Sequence, residues 1–278
     1  LKPPVLLIDC PDRKGLIHDI TGVLFRNNHN IISNSEYVDH ETSHFFMRTE
    51  ISGGNDFELL RDELYALLPN GSNVRFSNQS PKNIVIMATK EHHCLGDLLL
   101  RHAHHTLNAS ILAVISNHEV LKPLVKRFDI PFHYIPFEDV TKEEHEAAVI
   151  SALKKYDPQY IALAKYMRVL SSQFISNYPG RIINIHHSFL PAFAGASPYR
   201  QAFERGVKII GATAHFVTEH LDEGPIIAQG VTPVDHSYSV NDMVLAGRDV
   251  ERTVLAKALR LVFEERVFLC GKRVVIFE

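Results

Sequence analysis

The sequence predicts an α/β protein in two parts: a ferredoxin-like βαββαβ domain over residues 1–76, then a doubly wound, mostly parallel α/β domain over residues 83–278. Two observations carry the division. Residues 77–82, "SNQSPK", are polar, contain a proline and show no periodicity, which marks a linker. Before the linker the order is β-α-β-β-α-β. After it, continuous apolar runs alternate with helical patterns, as strands buried on both faces of a parallel sheet require.

In the first part "PVLLIDC" (4–10) reads as a strand. Leu16, Ile20, Val23 and Leu24 recur at helical spacing and predict an amphipathic helix over 16–28. "NIISNSEYVDHETSHFFMRTEI" gives two strands joined by a polar turn near His40–Thr42. Asp56 is placed to cap the helix "FELLRDELYALL", and "SNVRFS" is a closing strand. In the second part, strands are predicted at 83–89, 111–116, 132–137, 160–164 and 181–185, with helices over 94–107, 119–128 and 142–156. Two long strands follow, 207–217 and 224–234, then a helix from about Ser239 to Glu265 and a hairpin turning at Gly271–Lys272. A ligand of such a sheet belongs outside the carboxyl ends of the strands, at a switch in strand order.

The 278 residues carry a formal net charge of -3, so no basic field gathers nucleic acid or an anionic membrane. No apolar run approaches the roughly 20 residues that span a bilayer, and the start lacks the small-residue cleavage site of a signal peptide. Cys10, Cys94 and Cys270 are widely spaced, form no readable disulfide framework and suit a reducing cytoplasm.

"RIINIHHSFLPAF", residues 181–193, ends an apolar run in a cluster of hydrogen-bonding side chains. Strand alternation puts Asn184 and His186 on one side of their strand. Asp222 lies between two strands, just ahead of Gly224 and Pro225, which fix a sharp turn. An amide, an imidazole and a carboxylate converging at a strand end suit a carbonyl reaction. The first two can donate to a developing oxyanion and the third can handle protons. By spacing alone, the same residues serve equally well as satisfied strand-end and turn groups.

"AKYMRVL", "NIHHSFLPAF", "GASPYRQAFERGVKIIGATAHFV" and "LDEGPII" resemble the folate-dependent formyltransferase fold, in order through nearly all of 83–278. Within that fold the likeness is greatest to the formyltetrahydrofolate deformylases, and the first 76 residues resemble the ACT domain that precedes their catalytic domain. The resemblance implies hydrolysis of 10-formyltetrahydrofolate to tetrahydrofolate and formate, balancing the one-carbon folate pool and supplying formate for purine synthesis. It makes Asn184, His186 and Asp222 the catalytic triad and lines the pterin pocket with Met167, Arg168, Leu170, Val217, Thr218 and Glu219. His215 is a second-tier residue of the same wall. His187, which points away from His186 on an ideal strand, ranks lower. No metal or redox cofactor is implied. The ACT resemblance implies a regulatory amino acid near Asp12 and Gly15 and a homo-oligomer, dimer or tetramer.

The same residues allow other readings. A transferase acting on glycinamide ribonucleotide shares the triad but needs a phosphate cradle of Gly, Ser and Asn where the first strand meets its helix. Here that place reads "ATKEHHCLGDLL" (88–99), with one Gly, no Ser or Asn, and Glu91 to repel phosphate, so water is the expected acceptor. His92, His93, Cys94, His102, His104 and His105 crowd one stretch without a short zinc motif. Ser188 has no G-x-S-x-G elbow around it. Cys94, at a helix start, is either an activated thiol or a small packing residue. A non-catalytic amino-acid sensor is the remaining class, against which the complete triad argues. In the expected mechanism Asn184 and His186 hold the oxyanion while Asp222 orients water and moves its proton to N10. Shielding from water is expected to raise the pKa of Asp222 for that task.

Overall fold

Strand β1 (Val5–Pro11) buries Val5, Leu6, Leu7 and Ile8 inside a four-stranded antiparallel sheet. The computed structural model describes residues 2–54, 56–192 and 198–278 of the chain. The quoted motifs that cross 193–197 lie partly outside the described residues. Helix α1 (Leu16–Arg26) follows Gly15, whose φ of 91° suits glycine, and it buries Leu16, Ile20, Val23 and Leu24, the face its spacing predicted. β2 (Asn30–Asp39), β3 (His44–Ser52), α2 (Phe57–Leu67) and β4 (Asn73–Ser77) complete the βαββαβ order, with the strands arranged β2-β3-β1-β4. The Asp56 side chain accepts from the Leu59 N–H at 2.9 Å, a cap contributing about 1 kcal/mol.

The second unit is built on a seven-stranded sheet. β5 (Lys82–Ala88), β6 (Ala109–Ser116), β7 (Phe132–Tyr134), β8 (Tyr160–Leu163) and β9 (Ile182–His186) run parallel. β10 (Ile209–Phe216) pairs antiparallel with β9, and β11 (Ile226–Pro233) antiparallel with β10. The order is β11-β10-β9-β8-β5-β6-β7, which reverses direction between β8 and β5. The helices are α3 (His93–Ala103), α4 (Lys122–Lys126), α5 (Lys142–Lys154), α6 (Ser172–Ser176), α7 (Pro198–Glu204) and α8 (Val240–Phe263). Val85, Met87, Ala113, Ile115, Ile161 and Leu163 form one core with Val149 and Leu153 of α5, which explains the unbroken apolar runs of these strands. A capping box between Thr141 and Glu144 starts α5.

Several elements differ from the expectation. β7 ends at Tyr134 rather than 137, since Pro136 has no N–H to give a ladder. The helix expected over 119–128 is a 3₁₀ turn, Glu119–Leu121, running into the single turn of α4, where Pro123 fits the helix start. α6 and α7, five and seven residues long, are too short to leave a periodic signal. The closing hairpin, β12 (Val267–Cys270) and β13 (Arg273–Ile276), falls within residues assigned above to 83–278. Leu261–Cys270 and Val274–Glu278 instead group with residues 1–80. Phe268 and Phe277 share a core with Val5, Leu7 and Phe46, and buried Arg48 donates to the backbone carbonyls of Glu264 and Glu265. Among the described residues no helix is long and apolar enough to cross a membrane.

Candidate active site

A cleft of about 440 Å³ lies along β8, β9 and β10, beside the reversal in strand order rather than on it. Asn184 and His186 of β9 and His215 of β10 form its floor, and the segments 165–170 and 217–222 form its walls. Asn184, His186, Asp222, Met167, Arg168, Leu170, Val217, Thr218, Glu219 and His215 therefore all border one space. The sequence reading had not singled out Lys165, Tyr166 or His220, which line it too. Lys165 and Tyr166 sit inside the quoted "AKYMRVL", so the signal was present, but nothing in one dimension showed which side chains turn inward.

The wall at 165–170 is fastened from outside. The Met167 N–H donates to Thr89 Oγ1 at 3.0 Å. His145 Nδ1 lies 3.0 Å from the Pro136 carbonyl, which can only accept, so that nitrogen carries the proton. Its Nε2 then accepts from the Tyr166 hydroxyl at 3.0 Å. The Ser171 N–H donates to the Glu146 carboxylate at 2.8 Å, and its hydroxyl binds the same group. The Arg168 guanidinium lies 4.3 Å from the centre of the Phe137 ring.

On the floor, β9 and β10 place His215 directly opposite Asn184, and a register shift between Ala214 and His215 irregularises β10 there. His215 Nδ1 lies 2.8 Å from the Phe216 carbonyl and so donates. Its Nε2 is an acceptor, 3.3 Å from the Asn184 amide nitrogen. Burial lowers the pKa of His215, which keeps it in this neutral form. His186 Nδ1 stands 3.3 Å from Asp222 Oδ2, while His215 Nε2 is 3.7 Å from Oδ1. His186 Nε2 is buried with no hydrogen-bond partner among the described residues.

Two expectations are corrected here. The Asp222 carboxyl is held below its usual range, not raised, because the hydrogen bond from His186 outweighs the half-burial that pushes the other way. His187 does not point away from His186: their rings stack at 5.0 Å with 24° between planes. β9 ends at His186, so strand alternation no longer governs the next residue. Asp222 itself has a φ of 57°, a left-handed conformation that aspartate tolerates better than most residues. Gly224 makes that loop possible, since a Cβ there would collide with the Phe216 carbonyl oxygen.

A second buried cluster centres on Glu251. Burial pushes its carboxyl up, yet His93, Lys165 and Tyr199 together hold it down to about 2. Burial beside Glu251 in turn pushes the Tyr199 hydroxyl well up. His93, Cys94 and Glu251 offer ligand atoms within 4.8 Å of one another. His92, His102, His104 and His105 do not join them, and His102 Nδ1 instead lies 3.2 Å from the Ala109 carbonyl. The Lys165 ammonium, 3.2 Å from Glu251, already supplies that carboxylate with a cation. Burial, and then Glu251, raise the Cys94 thiol well above its ordinary value, so it keeps its proton. Asp12 and Gly15 lie exposed on the loop between β1 and α1 in the other unit.

The family model for formyl transferases matches residues 82–259, and that for ACT domains matches residues 4–69. Fold and site thus define a formyl transferase-type α/β domain with an ACT domain ahead of it. The formyltetrahydrofolate deformylase of Haemophilus influenzae is 52% identical over 277 residues, covering 99% of each chain. The crystal structure of a formyltetrahydrofolate deformylase from Pseudomonas syringae superposes with a TM-score of 0.95 at 40% identity, covering 100% of this chain and 95% of that one. The chain belongs to the formyltetrahydrofolate deformylase family. A glycinamide ribonucleotide transformylase from Symbiobacterium toebii is more distant, with a TM-score of 0.69 at 30% identity over 76% of this chain and 100% of that one.

Proposed function

We propose that the chain hydrolyses 10-formyltetrahydrofolate to tetrahydrofolate and formate, and that Asn184, His186 and Asp222 carry the reaction. The supporting observation is the convergence of these three side chains on one cleft, with His186 and Asp222 already 3.3 Å apart. Water attacks the formyl carbon. The oxyanion takes hydrogen bonds from the second N–H of the Asn184 amide, whose first is engaged by His215, and from the His186 imidazole, whose Nε2 is otherwise without a partner among the described residues. Asp222, ionised because its carboxyl is held low, accepts the proton of the attacking water. It then passes that proton to N10, so that the C–N10 bond breaks to a neutral amine, and the formic acid formed gives its remaining proton to solvent and leaves as formate. The acid is thus made during turnover and is not stored on a resting carboxyl. No electrons are exchanged, and the reaction calls for no metal or redox cofactor.

Water is the acceptor in this reading, because the start of α3 is surrounded by Glu91 and Glu251 and offers a phosphate little. The setting is the cytoplasm, where the reaction balances the one-carbon folate pool and supplies formate for purine synthesis. An absorbance assay on 10-formyltetrahydrofolate alone, repeated with glycinamide ribonucleotide, is the direct test. Turnover that depends on the second compound would remove the hydrolytic reading.

For the ACT domain, an amino acid is the proposed effector, its carboxylate against the free N–H groups of α1 at Gly15 and its ammonium near Asp12. The ten-residue edge strand β2, with Ile32 and Tyr37 partly exposed, is the proposed pairing surface for a homo-oligomer. A chain begun near Lys82 would strand Phe268 and Phe277 without their core partners. The effector test therefore uses the whole chain: calorimetry across the amino acids on the parental protein and on Asp12→Ala. Absence of heat from every amino acid would remove the regulatory reading.

A further inference from the structure

Glu251, 1% exposed on α8, gathers side chains from three other places in its unit. His93 at the start of α3 reaches it at 2.8 Å, Lys165 after β8 at 3.2 Å, and Tyr199 of α7 at 2.6 Å. A second carboxylate, Glu91, stands 3.5 Å from His93 and 2.8 Å from Arg248. The hydrolytic reaction uses none of these groups, yet Glu251, Lys165 and His93 are buried, and burying charged groups together carries a desolvation cost.

The cluster stands at the start of α3, where the first strand of the sheet meets its helix and a phosphate cradle for a second substrate is expected. α3 follows His92, which gives no side-chain cap, so the N–H groups of its first turn lack helical partners. Such a start ordinarily draws an anion. Here the chain supplies its own carboxylates, and Lys165 and Arg248 match them, which leaves no net positive field for a phosphate. Lys165 and His187 line the reacting cleft, whereas no residue of α3 or α8 does. Lys165 therefore links the cleft lining to the buried carboxylate. Its backbone is left-handed, with a φ of 62°. Gly247, one turn before Glu251, belongs to the same arrangement. A Cβ there would run into the Tyr199 ring, so glycine is what lets Tyr199 lie over α8 and reach Glu251.

We infer that Lys165, held in place by Glu251, is the specificity-determining residue that reserves the reaction for water: it closes the cleft to an amine-bearing, phosphorylated co-substrate. The inference rests on the hydrolytic reading and deepens it. A fold that also serves proteins named as glycinamide ribonucleotide transformylases needs a feature of this kind, since the formyl donor site alone cannot choose the acceptor.

The test is Lys165→Ala in the full chain, assayed with 10-formyltetrahydrofolate with and without glycinamide ribonucleotide, with products read by mass spectrometry. In the parental protein glycinamide ribonucleotide neither slows formate release nor becomes formylated. In Lys165→Ala it inhibits formate release at a concentration at least roughly tenfold below any that affects the parent. A fraction of it is formylated: the amine nitrogen bonds to the formyl carbon, the C–N10 bond breaks, and the amine's proton ends on N10. A folded, hydrolytically active Lys165→Ala that stays as indifferent to glycinamide ribonucleotide as the parent overturns the inference. So does a parental protein that the compound already inhibits. A parent that releases no formate without an acceptor overturns the hydrolytic reading instead. Should Lys165→Ala strand Glu251 and fail to fold by circular dichroism, the double variant Lys165→Ala/Glu251→Gln removes both charges and carries the same expectation.

Discussion

His215 and Asn184 face each other across β9 and β10, and the imidazole Nε2 accepts from the amide nitrogen at 3.3 Å. Because the other imidazole nitrogen is committed to the Phe216 carbonyl, His215 fixes which way the Asn184 amide is turned. Its role in the proposed reaction is orientation, one step removed from the substrate. His215→Phe, which keeps the bulk and loses the acceptor, is expected to lower kcat roughly 10–100-fold with little change in KM. His215→Gln, which can still accept, should recover part of the loss. Steady-state formate release measures both, and near-parental kcat in His215→Phe would detach His215 from the reaction.

Asp222→Asn isolates proton transfer from shape. Asparagine tolerates the left-handed backbone at this position, so the loop is expected to keep its form. kcat should fall by roughly 10²–10⁴ while folate still binds. In the parent the depressed carboxyl stays ionised below the ordinary aspartate range. The stability from its pairing with His186 is therefore complete above the unfolded value of 3.8 and is lost only as pH falls through the depressed one. Equilibrium dialysis with folate, together with urea midpoints against pH, separates these effects.

His187 should show a dependence of the same sign in a higher pH window. Burial, then Lys165 and His186, lower its pKa from 6.5 to about 4. The folded state thus resists a proton that the unfolded chain accepts, so stability falls as pH drops from 6.5 towards 4. His187→Phe lacks this liability, and its urea midpoint should gain on the parent across that window while the difference stays constant above it. A difference that does not change with pH would contradict the assignment.

Gly224→Ala is expected to be disproportionately harmful for a single methyl group. The added Cβ would meet the Phe216 backbone carbonyl, so the loop carrying Asp222 must move. A stability loss of about 1–3 kcal/mol is expected, with a fall in kcat on the order of 10²-fold from displacement of the carboxylate. Thermal unfolding and formate release check the two parts. A variant with normal kcat would show that the loop has slack at Asp222.

The sequence by itself determined the two folds, and it singled out Asn184, His186 and Asp222, which border one cleft. Leu16, Ile20, Val23 and Leu24, or the unbroken runs of β5 and β6, carry their periodicity locally, and periodicity is decided by which face a neighbour buries. Asn184 and His186 were legible together because two residues along one strand must share a side. The tertiary structure decided what depends on chains crossing. His187 stacks on His186 because β9 stops there, and Asp222 is acidified because His186 arrives 3.3 Å away. Phe268 and Phe277 belong with Val5 and Phe46, although more than 200 positions separate them in the chain. Lys165 and Glu251 meet across 86 positions, which no window of sequence spans. Charge pairing falls off over a few ångströms in space and is blind to distance along the chain, so only the folded molecule could show these partners.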